Sequence, residues 1–352
     1  MRWARIATAA LVLVGLAYLI APGNRSGPRT PLPGTAASLQ FQNSESCAEC
    51  HVEVYEEWNS SMHAQAWHDP LVRAPAMSDD FKRKDCIPCH APRPVFEHGI
   101  GQGARVVPRN VNMHEGVDCL ACHRMRNGVA STRSGLRAPC RPLHAPELGD
   151  VGLCAPCHDQ HKTISEEWAL TEEAARGIGC NECHMPLVMR SALGGLPARK
   201  GRSHRFPGAH DEELMKSAVV LSHQVAAGES GRELVVRLTN TGAAHHVPTD
   251  ARHRALDLVV TLYDPMGRAQ GPVGERSPGQ EGGTYRWRFR NPYRTESGMA
   301  DTRIPARAEV LHRVPLAASI RRATIEVVFK LTPYIPDSEG LLVAHAEVDI
   351  PP

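Results

Sequence analysis

The hydrophobic rhythm of the chain changes three times. Met1-Arg2-Trp3-Ala4-Arg5 precedes a largely apolar run of 16 residues from Ile6 to Ala21. A basic start followed by such a run reads as an export signal, just short of the roughly 17 to 25 residues that span a bilayer. No small-x-small cleavage site directly follows Ile20; the first, Thr35-Ala36-Ala37, lies well downstream. Residues 1–21 are therefore expected to be an uncleaved anchor, with Arg2 and Arg5 on the cytoplasmic side. If cleaved, the same segment is a signal peptide and the remainder is secreted. Residues 22–40 are rich in Pro, Gly, Ser and Thr and read as a flexible tether. From 41 to 213 long amphipathic periods are few and Gly/Pro breaks are many, which predicts short helices and loops. From 214 to 352 the pattern becomes short β-type runs: Ala218–Gln224, Glu233–Leu238, Leu256–Tyr263, Thr284–Phe289, Ala308–Val314, Thr324–Leu331 and Leu342–Ile350. Seven runs separated by turn residues predict an all-β, immunoglobulin-like antiparallel sandwich.

Composition changes this picture at one point. Aromatic residues make up only 5% of the chain, and 40 basic residues nearly cancel 38 acidic ones to leave +2. Such a balance provides no field for nucleic acid. The 11 cysteines and 19 histidines are what stand out. Ten of the cysteines fall into five Cys-x-x-Cys-His sites: Cys47/Cys50/His51, Cys86/Cys89/His90, Cys119/Cys122/His123, Cys154/Cys157/His158 and Cys180/Cys183/His184. Random placement of these residues gives about 0.02 such motifs. The chemistry that needs this pattern is covalent haem c: two thiols form thioethers to the vinyl groups and the next residue turns its imidazole onto iron. Zinc gives no reason for His to follow every pair, and a disulfide closed across two residues constrains the unfolded chain little. Five covalently bound haem c groups are therefore expected within 41–213, with short helices around stacked haems. The steps between proximal His are 39, 33, 35 and 26 residues, too uneven for a solenoid. Cys140 stands apart and reads as a free buried thiol.

An iron that carries electrons generally takes a second axial ligand, and 14 histidines remain. His63 lies in Val52–Trp67, a stretch with helical character, 12 residues beyond His51. On one continuous helix that is about 18 Å, too far for the two rings to face each other across one macrocycle, so His63 should serve a different iron. His114 before the third site, and His204 and His210 after the fifth, are further candidates. Within Ala243–Thr249, His245 is preferred over the adjacent His246, and a ligand there would dock the β-domain onto the haem region. His68, His98, His144 and His161 are weaker candidates; His312 and His345 read as ordinary. Arginines cluster at Arg124, Arg126, Arg133, Arg137 and Arg141, and a second cationic stretch holds Arg190, Arg199, Lys200, Arg202 and Arg205. Both are suited to haem propionates, or simply to solvent.

On these residues the chain resembles the cytochrome c-554-like (c-552/c-554) multihaem family over about residues 44–260. The resemblance rests on Tyr55-x-x-Trp58-x-x-Ser61-x-His63, on Glu115-Gly116-Val117 leading into Cys119, on Cys183-His184-Met185-Pro186, and on Ala244-His245-His246-Val247-Pro248-Thr249. It implies closely stacked haems with two His ligands that pass electrons; the simplest members of that family accept electrons from hydroxylamine oxidoreductase. This chain departs from the pattern in its fifth site, its trailing β-domain and Asp250, where Gly is expected.

The function expected is electron transfer between other redox proteins, a donor and an acceptor, outside the cytoplasm and attached to the inner membrane. The alternative is a multihaem oxidoreductase acting on a small nitrogen or sulfur oxyanion, which requires one open haem with a catalytic shell. No residue type in the sequence marks such a shell.

Overall fold

The computed structural model describes residues 41–70, 72–73, 86–100, 104–159, 163–229, 231–249, 252–270, 284–293, 295–296 and 298–351. The expected anchor at 1–21, the tether at 22–40, His161 and Asp250 lie outside them.

The haem-motif region is built from helices of one or two turns. They are α1 (Ser44–Ala48), α2 (Val52–Asn59), α3 (Met62–Gln65), α4 (Ile87–His90), α5 (Cys119–His123), α6 (Ala155–His158), α7 (Ile164–Ala169), α8 (Glu172–Ala175), α9 (Cys180–His184) and α10 (Glu212–Ala218). Local chemistry keeps them short. The stretch of helical character from Val52 to Trp67 is divided at Ser61, whose backbone is extended. Its Oγ donates to the Trp58 carbonyl at 2.6 Å and accepts from the Ala64 N–H at 3.4 Å. A serine in that posture starts a new helix rather than continuing the old one. Thr171 divides α7 from α8 in the same way, and Asp118 caps α5 by accepting from the Ala121 N–H at 2.7 Å.

Short strands accompany these helices: β1 (Arg124–Met125), β2 (Gly128–Ser131) and β3 (Pro142–His144) form one sheet, and β4 (Leu187–Arg190) with β5 (Arg199–Arg202) a hairpin. None was expected, because two to four residues of mixed polarity carry no readable period. The apolar cluster in this half is small: Val95, Phe96, Ile100, Ala130 and Ala145. Side chains alone therefore provide little core here.

The second half is β throughout. Its strands are β6 (Val219–Gly228), β7 (Gly231–Asn240), β8 (Ala255–Tyr263), β9 (Ala269–Gln270), β10 (Thr284–Phe289), β11 (Glu309–Leu316), β12 (Arg322–Lys330) and β13 (Leu341–Asp349). They form two antiparallel sheets, β11-β7-β6 and β10-β8-β12-β13, with β9 on the β8 edge. Each of the seven expected runs overlaps one of these strands; β9 is additional. Leu234, Val236 and Leu238 of β7 share one core with Leu256, Leu258 and Val260 of β8 and Ile325 and Val327 of β12. The period-2 alternation sends these side chains inward, and each fully buried one contributes about 1.5–3 kcal/mol. On the opposite face of β8, fully buried Asp257 accepts from Arg286 and Arg288 of β10 at 2.8 and 2.7 Å, with Lys330 of β12 3.4 Å away. Three cations around one carboxylate compensate its loss of water. Met215 and Ala218 of α10 pack against the same β core.

Candidate haem-binding array

Each Cys-x-x-Cys-His segment closes a single helical turn. The His51, His90 and His158 N–H groups donate to the carbonyls of Cys47, Cys86 and Cys154 at 2.9, 3.1 and 3.0 Å, and the third and fifth motifs are themselves α5 and α9. Helical spacing of i, i+3 and i+4 places both thiols and the imidazole on one face. Pro88 and Pro156 sit in the first turn of α4 and α6, where the missing N–H costs no hydrogen bond.

The rest of the fold orients the rings. Nδ1 of His51, His90, His123 and His184 lies 2.5, 3.1, 3.0 and 2.7 Å from the carbonyl oxygens of Ala192, Ala66, Ala130 and Pro207. A carbonyl can only accept, so Nδ1 carries the proton and Nε2 presents its lone pair, as a metal-ligating imidazole requires.

Three proximal rings face a second imidazole from a distant part of the chain. His158 is 5.9 Å from His63, His123 is 6.2 Å from His204 and His184 is 6.5 Å from His245, centre to centre. Two imidazoles bound to one metal at about 2 Å each have centres roughly 6 Å apart. Nδ1 of His204 and His245 also meets a carbonyl, that of Arg202 at 3.0 Å and that of His246 at 2.8 Å. Burial, reinforced by neighbouring imidazoles, pushes His63 and His204 down to about 3, so both are neutral over the physiological range. Burial also lowers His90, His123, His158 and His245. Only the neutral ring can bind metal.

The thiols of different sites meet. Cys47 lies beside Cys119, Cys154 beside Cys180, and Cys157 beside Cys89. All of the cysteines are free of disulfides, and Cys140, expected to be buried, is half-buried. Among the described residues no three His, Cys, Asp or Glu side chains converge as a metal cage. Convergence is two by two, which fits a haem iron, whose other four ligands come from the macrocycle. The ten paired cysteines and five proximal histidines could hold haem c, which supplies a one-electron iron centre when bound.

His114 and His210 share no ring contact with a proximal histidine among the described residues. His114 lies in a one-turn 3-10 helix, and its carbonyl accepts from His68 Nε2 at 3.1 Å. His210 lies at the surface, and partial desolvation lowers its pKa. Of the two arginine groups, Arg190 pairs with Glu57 at 2.9 Å and Arg202 pairs with Glu182.

Several residues of the array escaped sequence reasoning. Phe206 stands between two candidate ligands, 4.1 Å from His63 and 5.7 Å from His204. Glu57 accepts the His204 N–H at 2.8 Å, and Glu167 accepts the His246 N–H at 2.9 Å. Buried Asn240 donates to the His245 carbonyl at 2.9 Å. A signal for the glutamates did exist: Glu-Glu-Trp occurs at both 56–58 and 166–168.

The family model described as "Cytochrome c554 and c-prime" matches residues 46–124. The fold is similar to the crystal structure of a penta-heme cytochrome c552 from Thermochromatium tepidum. That likeness has a TM-score of 0.62 and 20% identity, and it covers 88% of this chain and 98% of that one. No curated protein matches in sequence. The five attachment motifs, the family model matched over residues 46–124 and the shared fold support reading this chain as a multihaem c-type cytochrome of the c554/c552 type.

Proposed function

We propose that the chain is an extracytoplasmic pentahaem electron carrier in which most irons have two imidazole ligands. The observation that carries this reading is the facing of His63 with His158, His204 with His123 and His245 with His184 at 5.9 to 6.5 Å. On this reading Cys47, Cys50, Cys86, Cys89, Cys119, Cys122, Cys154, Cys157, Cys180 and Cys183 would attach five haems, and each facing pair would hold one iron. His114 and His210 remain candidates for the irons of His51 and His90; His210 shares Asp69 as an electrostatic neighbour with His90.

Each attachment sulfur would be bonded to its own haem, so neighbouring sulfurs from two sites would hold two haems close together. The thiol contacts link site 1 to 3, 2 to 4 and 4 to 5, and Cys122 of site 3 is an electrostatic neighbour of Cys154 and Cys157 of site 4. The array is thus a connected path with one branch, suited to passing electrons between a donor and an acceptor protein. Paired imidazoles favour lower potentials than a His/Met pair.

The same proposal includes an immunoglobulin-like class for the two sheets, a division into domains at 41–213 and 214–352, and export with inner-membrane attachment through residues 1–21. Among the described residues no helix is long and apolar enough to cross a membrane.

The test is a pyridine haemochrome count with electron paramagnetic resonance of the oxidised protein, with and without cyanide. Five haems, with low-spin signals that ignore cyanide at the three paired sites, are expected. High-spin, cyanide-binding iron at those three sites would overturn the carrier reading and direct attention to catalysis.

A further inference from the structure

Two segments of the haem region repeat one another in sequence and in contacts, outside the attachment motif itself. Glu56-Glu57-Trp58-x-x-Ser61 follows the first site, and Glu166-Glu167-Trp168-x-x-Thr171 follows the fourth. The indole Nε1 of Trp58 donates to the Val117 carbonyl at 2.8 Å, two residues before Cys119. That of Trp168 donates to the Ile178 carbonyl at 2.9 Å, two residues before Cys180. The hydroxyls of Ser61 and Thr171 donate to the tryptophan carbonyls at 2.6 and 2.7 Å, and each caps the next helix. Each tryptophan therefore anchors the approach to a second attachment site, the third or the fifth.

The glutamates complete the parallel. Glu57 Oε2 accepts the backbone N–H of His204, and Glu167 Oε2 accepts that of His246, at 2.8 and 2.9 Å. The other carboxylate oxygen meets an arginine at 2.9 Å in both cases, Arg190 in the first and Arg303 in the second. All four side chains are nearly buried: Glu57 is 12% exposed, Arg190 8%, Glu167 10% and Arg303 3%. A buried ion pair with this much desolvation is an expensive anchor unless it fixes something. What it fixes is a loop delivered from far along the chain to face the very site that the neighbouring tryptophan supports.

We propose that Glu57 and Glu167 are equivalent positioning residues, each clamping by its carboxylate the loop that presents the second imidazole: His204 opposite His123, and His245 opposite His184. The arginine balances the charge of the buried carboxylate, which leaves the charge-assisted bond to the loop N–H as the orienting contact. The two units diverge in two ways: Glu57 holds the N–H of His204 itself, whereas Glu167 holds that of His246, next to His245, and the residues two positions after the capping hydroxyls differ. His63 stands two residues after Ser61, whereas Glu173 stands two residues after Thr171 and pairs with Arg307 of the β half. The second unit has a clamp on the β-domain where the first has an imidazole.

This inference rests on the ligand pairing proposed above, and the experiment separates the two. Holoprotein carrying Glu57→Ala, Glu57→Gln, Glu167→Ala or Glu167→Gln is compared with His204→Gly and His245→Gly by paramagnetic resonance and cyanide-binding kinetics. Losing a charge-assisted bond should raise cyanide association at a single haem by about tenfold to a hundredfold. Glu57→Ala should affect the same haem as His204→Gly, and Glu167→Ala the same haem as His245→Gly, at unchanged haem content. The glutamine variants, which keep an acceptor without charge, should fall between and decide the matter if an alanine variant does not accumulate. Wild-type behaviour of both glutamate series alongside responding histidine variants overturns the clamp while the pairing stands. A response from only one glutamate overturns the equivalence. Histidine variants without effect overturn the pairing, and the clamp with it.

Discussion

Gly116 has a φ of +56°, and a Cβ there would lie 2.4 Å from the His63 carbonyl oxygen and 2.7 Å from that of Ala64. The Val117 N–H donates to the same His63 carbonyl at 2.8 Å. The Glu115-Gly116-Val117 segment is thus pressed against the backbone that carries a candidate ligand, and only glycine fits. Gly116→Ala should cost about 2 kcal/mol or more. It should also give the iron of His158 high-spin character, measured by chemical denaturation and by paramagnetic resonance. Phe206 makes a second test, since its ring touches two candidate ligands and its φ is +50°. Phe206→Ala should change the g-values of two haems at once; a change at one or none would show that the ring does not bridge them. The attachment motifs were legible because covalent chemistry demands fixed residue types at fixed spacing. The histidines opposite them were legible only as a pool, since spacing along the chain does not say which rings face each other. Phe206 was not legible at all, because its position depends on a left-handed backbone in a loop.

At the level of elements, side-chain caps decide where helices end. Val52–Trp67 has helical composition throughout, yet Ser61 and its hydroxyl bonds break it into α2 and α3. The break re-aims His63, which a continuous helix would carry elsewhere. Ser61→Ala and Thr171→Ala should each destabilise the holoprotein by about 1 kcal/mol, measured by denaturant unfolding. Of the two, only Ser61→Ala should alter the resonance of the haem bound through His158, because α8 carries Glu173 where α3 carries His63. The β runs were read nearly to their ends, because a two-residue alternation over six or more residues is a strong signal. The short strands β1 to β5 were missed because they are defined by pairing rather than by pattern.

Across the whole molecule, the β half reaches the haem region through the Glu167–Arg303 and Glu173–Arg307 pairs and through the His245 loop. Its own stability depends on charges as well as on its apolar core. Hydrogen bonding to Arg286, with Lys330 in support and against some desolvation, holds the Asp337 carboxyl down to about 2. A carboxyl depressed in the folded state adds stability above its unfolded pKa of about 3.9, and that stability is lost as pH falls toward the folded value. Thermal unfolding followed by circular dichroism should therefore show a loss between about pH 4 and pH 2. Asp337→Asn should remove that portion of the pH dependence, and an unchanged profile would exclude Asp337 as its source.

The sequence by itself determined the five Cys-x-x-Cys-His motifs, the short-helix character of the region that holds them, and the β strands that follow. These are local properties: motif spacing, turn residues and alternation act within a few residues. Only the tertiary structure decided which imidazoles face each other, which thiols of different sites touch, and which glutamate holds which loop. These contacts join residues 61 to 95 positions apart in the ring pairs alone, and such distances are closed by packing and buried hydrogen bonds that no local pattern encodes.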